Sequence, residues 1–450
     1  MTFIKKAAGA ALTARTSAGA AIAPAQAALP VLAAMAILLA APTFALTSWL
    51  LAADHPAILF YAFPVIAAEI AVIILAVAAG FDLRAGFLRL HPTTRIGASV
   101  WLSAILCANL IAAPMRTAAI PLLFTTLVHA GFALALWSLL TSRWAAHMKR
   151  FLYCAAAGVG LFGAIFAAII LAELNNPAFD WLGVGIGITN IRQLGFYGIT
   201  LVGVALGLGA PTRGWHWALA AAGTAFGFWL TILSGSRVAF VAAIIAATII
   251  CVLSERRRCM SVAVLVILAL ATAIPSSYLL IPHESWGFDR IIDRTFSGDA
   301  NDYASGRLVI WKETWAAILD SPFLGHGEGQ FRSQIVSAGN GLNHPHNALL
   351  QFLYQWGLIG TSALALMLAA TVRDLRRAAR SDVWLASIGV VAGLLAMAML
   401  EGSLYHTYPV MIVVLCLVTL NATATSTSAE PRAFAEPRQH WAADQPALGK

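Results

Sequence analysis

The 450-residue sequence is poor in charge. Only 11% of its residues are Asp, Glu, Lys or Arg, against about 25% in an ordinary soluble domain. So few ionic groups cannot clothe a water-facing surface, which excludes a soluble globular enzyme. With 60% of residues hydrophobic, a disordered chain is excluded as well. Cysteine is scarce: Cys107, Cys154, Cys251, Cys259 and Cys416. No two form a Cys-x-x-Cys pair and none lies in the one long polar segment, so neither a disulfide framework nor a zinc site is expected. No Asp-x-Asp occurs, the carboxylate pair on which metal-dependent transferases often hold a diphosphate. No internal repeat is visible either, unlike many transporters.

What the chain has in abundance is apolar sequence in runs of about 20 residues, each long enough to cross a hydrocarbon core. The runs fall near 29–51, 57–80, 96–113, 117–140, 151–173, 193–210, 214–233, 238–254, 260–282, 347–371, 383–402 and 407–423. This predicts an all-α polytopic membrane protein of about twelve spans, nine before and three after a single large loop. The expected organisation is a cytoplasmic N-terminal tail (1–28), spans one to nine (29–282), a periplasmic loop with an amphipathic helix (283–346), spans ten to twelve (347–423) and a disordered cytoplasmic tail (424–450). Placing the N-terminus inside leaves 20 Lys and Arg on the inner side and 8 on the outer. Positive charge concentrates on the cytoplasmic side of membrane proteins. The net charge of +8 therefore reflects orientation, and no nucleic-acid partner is expected.

The outer cations are Arg116, Arg192, Arg237, Arg290, Arg294, Arg307, Lys312 and Arg332. Arg116, Arg192 and Arg237 sit at outer ends of apolar spans, costly positions without a partner. In the long loop, Ser305–Leu319 has Leu308, Trp311, Trp315, Ile318 and Leu319 at helical spacing, a helix for the membrane surface or for packing on the bundle. Ser321-Pro322 ends it, and Gly325, Gly327 and Gly329 predict a flexible turn. The loop closes on Asn343-His344-Pro345-His346-Asn347 at the mouth of the tenth span. Glu173 and Glu401, near outer helix ends, are expected to pair with arginines. His129, mid-span, is read as a neutral, hydrogen-bonded packing residue. Tyr405, His406 and Tyr408 are read first as an aromatic anchoring belt and second as help in binding an acceptor.

These features resemble the O-antigen ligases and the wider superfamily of O-antigen ligases and polymerases. The likeness rests on Ser234-Gly235-Ser236-Arg237, on Ser305-Gly306-Arg307 followed by Trp311, Trp315 and the Pro322–Gly327 turn, and on His346-Asn347 followed by Gly357-Leu358-Ile359-Gly360. It covers roughly residues 190–410. The resemblance implies transfer of a glycan from undecaprenyl diphosphate to a hydroxyl of lipid A–core oligosaccharide, at the periplasmic face of the inner membrane of a Gram-negative bacterium. It implies inversion at the anomeric carbon, with neither metal nor cofactor. Its functional groups map to His346, Arg192 and Arg237.

The chemistry is consistent with these residue types. Displacing a lipid diphosphate needs a base for the acceptor hydroxyl, and imidazole titrates near the working pH. It also needs cations for the leaving diphosphate, a role suited to the planar fork of arginine. The sequence offers His346 or His344 as base; the rigid helix start favours His346. Arg192 and Arg237 are the catalytic cations, and His344, Asn347, Arg116, Arg307 and Tyr405 are candidate substrate-binding residues. An O-antigen polymerase or a protein O-glycan transferase would use the same carrier-linked donor. A transporter is the reading from another class.

Overall fold

The computed structural model describes residues 28–176, 179–181, 185–210, 213–279, 286–296, 307–339, 341–376 and 378–428. Both expected tails lie almost wholly outside these residues. Among the described residues every regular element is helical. Nine helices among the described residues are long and apolar enough to cross a membrane: α1 (Ala28–Leu51), α3 (Pro92–Cys107, running on to Ala112), α4 (Arg116–Leu140), α5 (Met148–Glu173), α6 (Leu194–Gly209), α7 (Trp215–Leu233), α9 (Arg256–Ser277), α12 (Ala348–Leu375) and α14 (Thr407–Ser428). Three apolar helices are shorter: α2 (Phe63–Ala78), α8 (Arg237–Leu253) and α13 (Asp382–Ala398). Two longer helices, α10 (Gly287–Phe296) and α11 (Arg307–Asp320), belong to the long loop, and the other described α-helices are single turns of four to six residues. The chain is a multi-pass membrane protein.

The shortness of α2 has a local cause. The apolar run 57–80 reads as one span, but Ala62 adopts φ +48° and Pro64 starts a new helix behind it. A separate turn of helix, Ala57–Tyr61, is left lying before α2.

The centre of the bundle is α6, 83% buried. Its glycines make that possible. Gly198 and Gly227 leave no room for a methyl group between α6 and α7, and Gly203 and Gly207 do the same against Val390 and Ala386 of α13. Small residues let membrane helices approach closely enough for dispersion to hold them. Mid-membrane, Glu69 of α2 is completely buried with its Oε2 2.7 Å from His129 Nδ1 of α4. His129 is thus the hydrogen-bonded packing residue that its mid-span position suggests, with Glu69 as its partner. At one end of the bundle Arg258 bridges α9 to Asp382 at 2.8 Å and to the Gly207 carbonyl. Cys251 and Cys259 are bonded there, a pair the spacing does not suggest.

At the other end the glycine-rich turn is not flexible. Helix α12 is broken at Gly357, whose φ is +62°, a conformation that glycine adopts without steric cost. The break strands backbone groups that cannot stay unpaired inside a membrane. The Pro322–Gly327 turn fills it. His326 N–H donates to the Tyr354 carbonyl (2.8 Å) and Gly327 N–H to that of Gln355 (3.0 Å); Leu358 and Ile359 donate to the carbonyls of Pro322 (2.7 Å) and Phe323 (3.2 Å). Beyond the turn, Glu328 is 3% exposed, far from the solvated loop acid its position suggests. It accepts from Thr126 and Trp356, and its own N–H donates to Asn109 on the π-helical turn ending α3. Burial pushes its carboxyl above the usual range, outweighing those hydrogen bonds and the His129 charge. The turn and the broken helix are one joint.

Candidate functional site

The joint fixes α11 against α12 through Ile310, Ile318, Phe331 and Tyr354. Helix α11 divides its faces. Ile310, Thr314 and Ile318 are buried while Leu308, Trp315 and Leu319 are exposed, so it both packs on the bundle and presents an apolar face outward. From α11, Trp311 Nε1 donates to the Pro345 carbonyl (2.8 Å). Asn347 caps α12, accepting from Leu350 N–H, while its amide donates to the Met399 carbonyl. Both functions of Asn347 are therefore structural. Between Pro345 and Asn347, His346 adopts φ +56°, one of two non-glycine residues with positive φ in the described chain. Strain of this kind is retained where the surroundings over-determine it, typically at functional sites.

A cavity of about 220 Å³ opens here, between the start of α6, the 341–346 segment and the 401–406 segment. Arg192, His344, His346 and Tyr405 line it, with Asn190, Gln193, Glu401 and His406. Four of the eight candidate site residues are thus together. Arg307 stands behind the wall, its Nη2 2.7 Å from Glu401 Oε1. Arg237 is not in the lining: Ala239, two residues on, packs against Gly195, and so does Met397, which lines the cavity. Arg116 is exposed at the start of α4, Asn347 is half-buried, and both are outside the lining.

Glu401 is the centre of the electrostatics. One oxygen holds Arg307; the other faces His346 Nδ1 at 3.4 Å, too long and poorly aligned for a full hydrogen bond. Burial alone would raise its carboxyl. The interaction with His346 and the charges of Arg307 and Arg192 prevail and hold it below the usual carboxylate range. The expected arginine pairing is thus correct for Glu401, whereas Glu173 accepts from Asn176 instead. His344 is buried, its ring against Gly402, where a Cβ would collide. Its Nδ1 accepts from the His346 N–H (3.2 Å), which leaves its proton on Nε2 when neutral. Burial, then the charges of His346, His406 and Arg307, drive it well below the ordinary histidine value. Burial likewise lowers His406 to about 4. Both are neutral at physiological pH. Arg192 makes no side-chain hydrogen bond or ion pair among the described residues.

Tyr405, His406 and Tyr408 are not an anchoring belt. Tyr408 is 2% exposed and stacks on Tyr197, His406 bonds Gln193, and Tyr405 packs on the His344 ring. Among the described residues no group of three or more His, Cys, Asp or Glu side chains is disposed to hold a metal ion. Glu401 and Gly402 are the participants whose site role the sequence does not signal, since nothing in it ties 401–402 to 344–346.

The arrangement defines a membrane protein with a cationic, histidine-bearing cavity at one end of its helix bundle. Residues 222–365 match the family model of the O-antigen ligases, which supports placing the chain in the O-antigen ligase superfamily. Comparison with curated proteins gives no match. The matched segment carries Arg237, Arg307, His344 and His346. Arg192, Glu401 and Tyr405 join the site from outside it.

Proposed function

We propose that the protein transfers a glycan from an undecaprenyl-diphosphate carrier to a hydroxyl of lipid A–core oligosaccharide, at the periplasmic face of the inner membrane. The observation that carries this reading is the pairing, in one cavity, of an uncommitted cation, Arg192, with a histidine backed by a buried carboxylate. Arg192 meets the charge growing on the leaving diphosphate, where a preorganised group is worth most. His346 takes the acceptor proton through Nε2, with Glu401 facing Nδ1 and stabilising the imidazolium that forms. The 3.4 Å separation is of the kind that tightens when substrate binds. His344 cannot serve as readily: its Nδ1 lone pair is occupied and its Nε2 carries the proton. It is suited to donate to a substrate oxygen. Arg307 acts through Glu401, and Arg237 is the second diphosphate cation. No step requires a metal or cofactor. Counting α2, α8 and α13 as spans gives twelve, with the long loop between the ninth and tenth. With the N-terminus inside, the cavity then faces the periplasm.

The test is reconstitution. Purified protein in nanodiscs is given carrier-linked glycan and lipid A–core. Glycan on lipid A–core, lost in His346→Ala and unaffected by EDTA, is the expected result. Growth of the carrier-linked glycan instead would make the protein a polymerase. Activity abolished by EDTA and restored by a divalent ion would end the metal-free mechanism. Cysteine at the 88% exposed Val336 should label from the periplasm and cysteine at Ser254 from the cytoplasm; the reverse pattern would sink the orientation.

A further inference from the structure

The cavity has a second wall of different chemistry. Facing the histidines, the short helix Ala57–Tyr61 presents Leu59 and Phe60 to the cavity. From there aromatic rings follow one another without a gap. The Tyr405 ring lies 4.9 Å from that of His344 and 6.2 Å from that of Phe60; Phe60 is 4.7 Å from Tyr61, and Tyr61 is 5.7 Å from Phe63. Exposure grows along this strip: Phe60 is 37% exposed and Phe63, the first residue of α2, 52%. The strip thus runs from the catalytic end of the cavity to the bilayer-facing side of an apolar helix. Of the other apolar lining residues, Phe196 and Met397 are 2% exposed and lead inward to the core, and Leu342 packs against the Ile310, Ile318 and Tyr354 cluster of α11 and α12.

We infer that the Phe60–Tyr61–Phe63 strip is the seat and lateral exit of the carrier's isoprenoid chain, with Phe60 contacting the units next to the diphosphate. The inference rests on the proposed function, because it takes the donor to be a polyprenyl diphosphate. Its physical basis is connectivity. A diphosphate held at Arg192 is covalently joined to its lipid, so an apolar path must begin within a diphosphate's length of that cation and end in the bilayer. A branched hydrocarbon with no polar groups is bound by apolar area alone, and aromatic rings supply much area with little conformational entropy to lose. The break at Ala62 gives the strip its shape, since it turns the 57–61 helix off the axis of α2 and so delivers Phe60 to the cavity and Phe63 to the membrane.

The full chain in nanodiscs tests this with two measurements. In the first, p-benzoylphenylalanine replaces Phe60, Phe63 or Trp215, and tritiated undecaprenyl phosphate is the probe. Trp215 is 66% exposed at the opposite end of the bundle and reports bulk lipid contact. Labelling at 60 and 63 that unlabelled undecaprenyl phosphate displaces, with undisplaced labelling at 215, is expected. Equal and undisplaced labelling at all three positions would overturn the inference. In the second, donors with eleven and with two isoprene units are compared. Phe63→Ala, at the distal end of the strip, should raise KM severalfold for the long donor, as expected for losing part of one ring's contact area, and leave the short donor unchanged. An equal rise for both would mean that Phe63 serves the glycan or the fold, and no rise for either would mean that the strip is unused. Displaceable labelling in a protein that transfers from no donor would leave the isoprenoid seat standing and remove the proposed function.

Discussion

Two turns lead into helix α12 and they are built in opposite ways. The glycine-rich turn 322–330 is bonded into the protein at nearly every polar group, Glu328 Oε2 being the exception. It gives four backbone hydrogen bonds to the broken helix, and Gln330 grips both the N–H and the carbonyl of Met115. The histidine turn 343–347 is left incomplete. His346 is strained and its Nδ1 lacks a full partner, as does the buried hydroxyl of Tyr405, whose ring packs on His344. Buried polar groups are normally satisfied, so a cluster of unsatisfied ones needs a reason. The difference separates scaffold from site: the first turn spends its bonding capacity on the protein, while the second keeps part of its capacity for a ligand.

The comparison is broken most severely by removing the incomplete turn's chemistry. His346→Ala should lower transfer by a factor on the order of 10²–10⁴, the usual worth of a general base, while the protein still inserts. Arg192→Ala should lose about 10²–10³, and Arg192→Lys should stay impaired because a point charge does not replace a fork. A single-turnover assay on purified variants decides; full activity in Arg192→Lys would reduce the arginine to an anchor. Arg237→Ala and Arg237→Lys belong in the same series, and His344→Ala should retain measurable transfer.

Next comes the glycine-rich turn. Gly357→Ala places a Cβ against the Phe323 carbonyl at a φ that disfavours it. It should destabilise the joint by roughly 1–3 kcal/mol or more, seen as lower yield and melting temperature in detergent. Unchanged stability would mean that the break is not fixed by this contact.

A smaller effect follows from pH. His406 binds its proton less readily folded (about 4) than unfolded (6.5), and His344 is shifted in the same direction. Between those values the unfolded chain holds more protons, so stability rises with pH across that window and falls on acidification. His406→Asn should flatten the slope of melting temperature between about pH 6.5 and 4; an unchanged slope would acquit His406. The smallest effect is expected at Glu328. Its raised carboxyl pKa means that ionisation costs stability as pH rises, so Glu328→Gln, which keeps an acceptor for Thr126 and Trp356, should lose less stability than wild type as pH rises. Glu328→Ala, which strands Thr126 and Trp356, should be worse. A strongly damaging Glu328→Gln would show that the charge is needed.

Much of this was legible in the sequence because it depends on local pattern. Apolar run length gives the helices, and the Ser305–Leu319 periodicity gives α11 to within two residues. Asn343–Asn347 marks the site because two imidazoles at a span mouth are costly without use. What escaped depends on contacts between distant segments. The burial of Glu328 follows from a turn threading between α3, α4 and α12. Glu401 meets His346 only because α13 ends beside the start of α12. The same holds for the Phe60–Tyr405 contact, which needs the break at Ala62. Hydropathy cannot see a break inside an apolar run, and for that reason the run 57–80 passed for one span.

The break in α12 also bears on biogenesis. Unpaired amides near Gly357 have no partner while the segment is leaving the translocation channel, and lipid offers none. The Pro322–Gly327 turn that satisfies them has by then already emerged on the far side. Residues 348–375 therefore enter as a continuous helix or shielded by the channel, and the bend forms once the turn folds back. Since His346 precedes that helix and Glu401 follows α13, the cavity is completed only once all of these segments have been inserted.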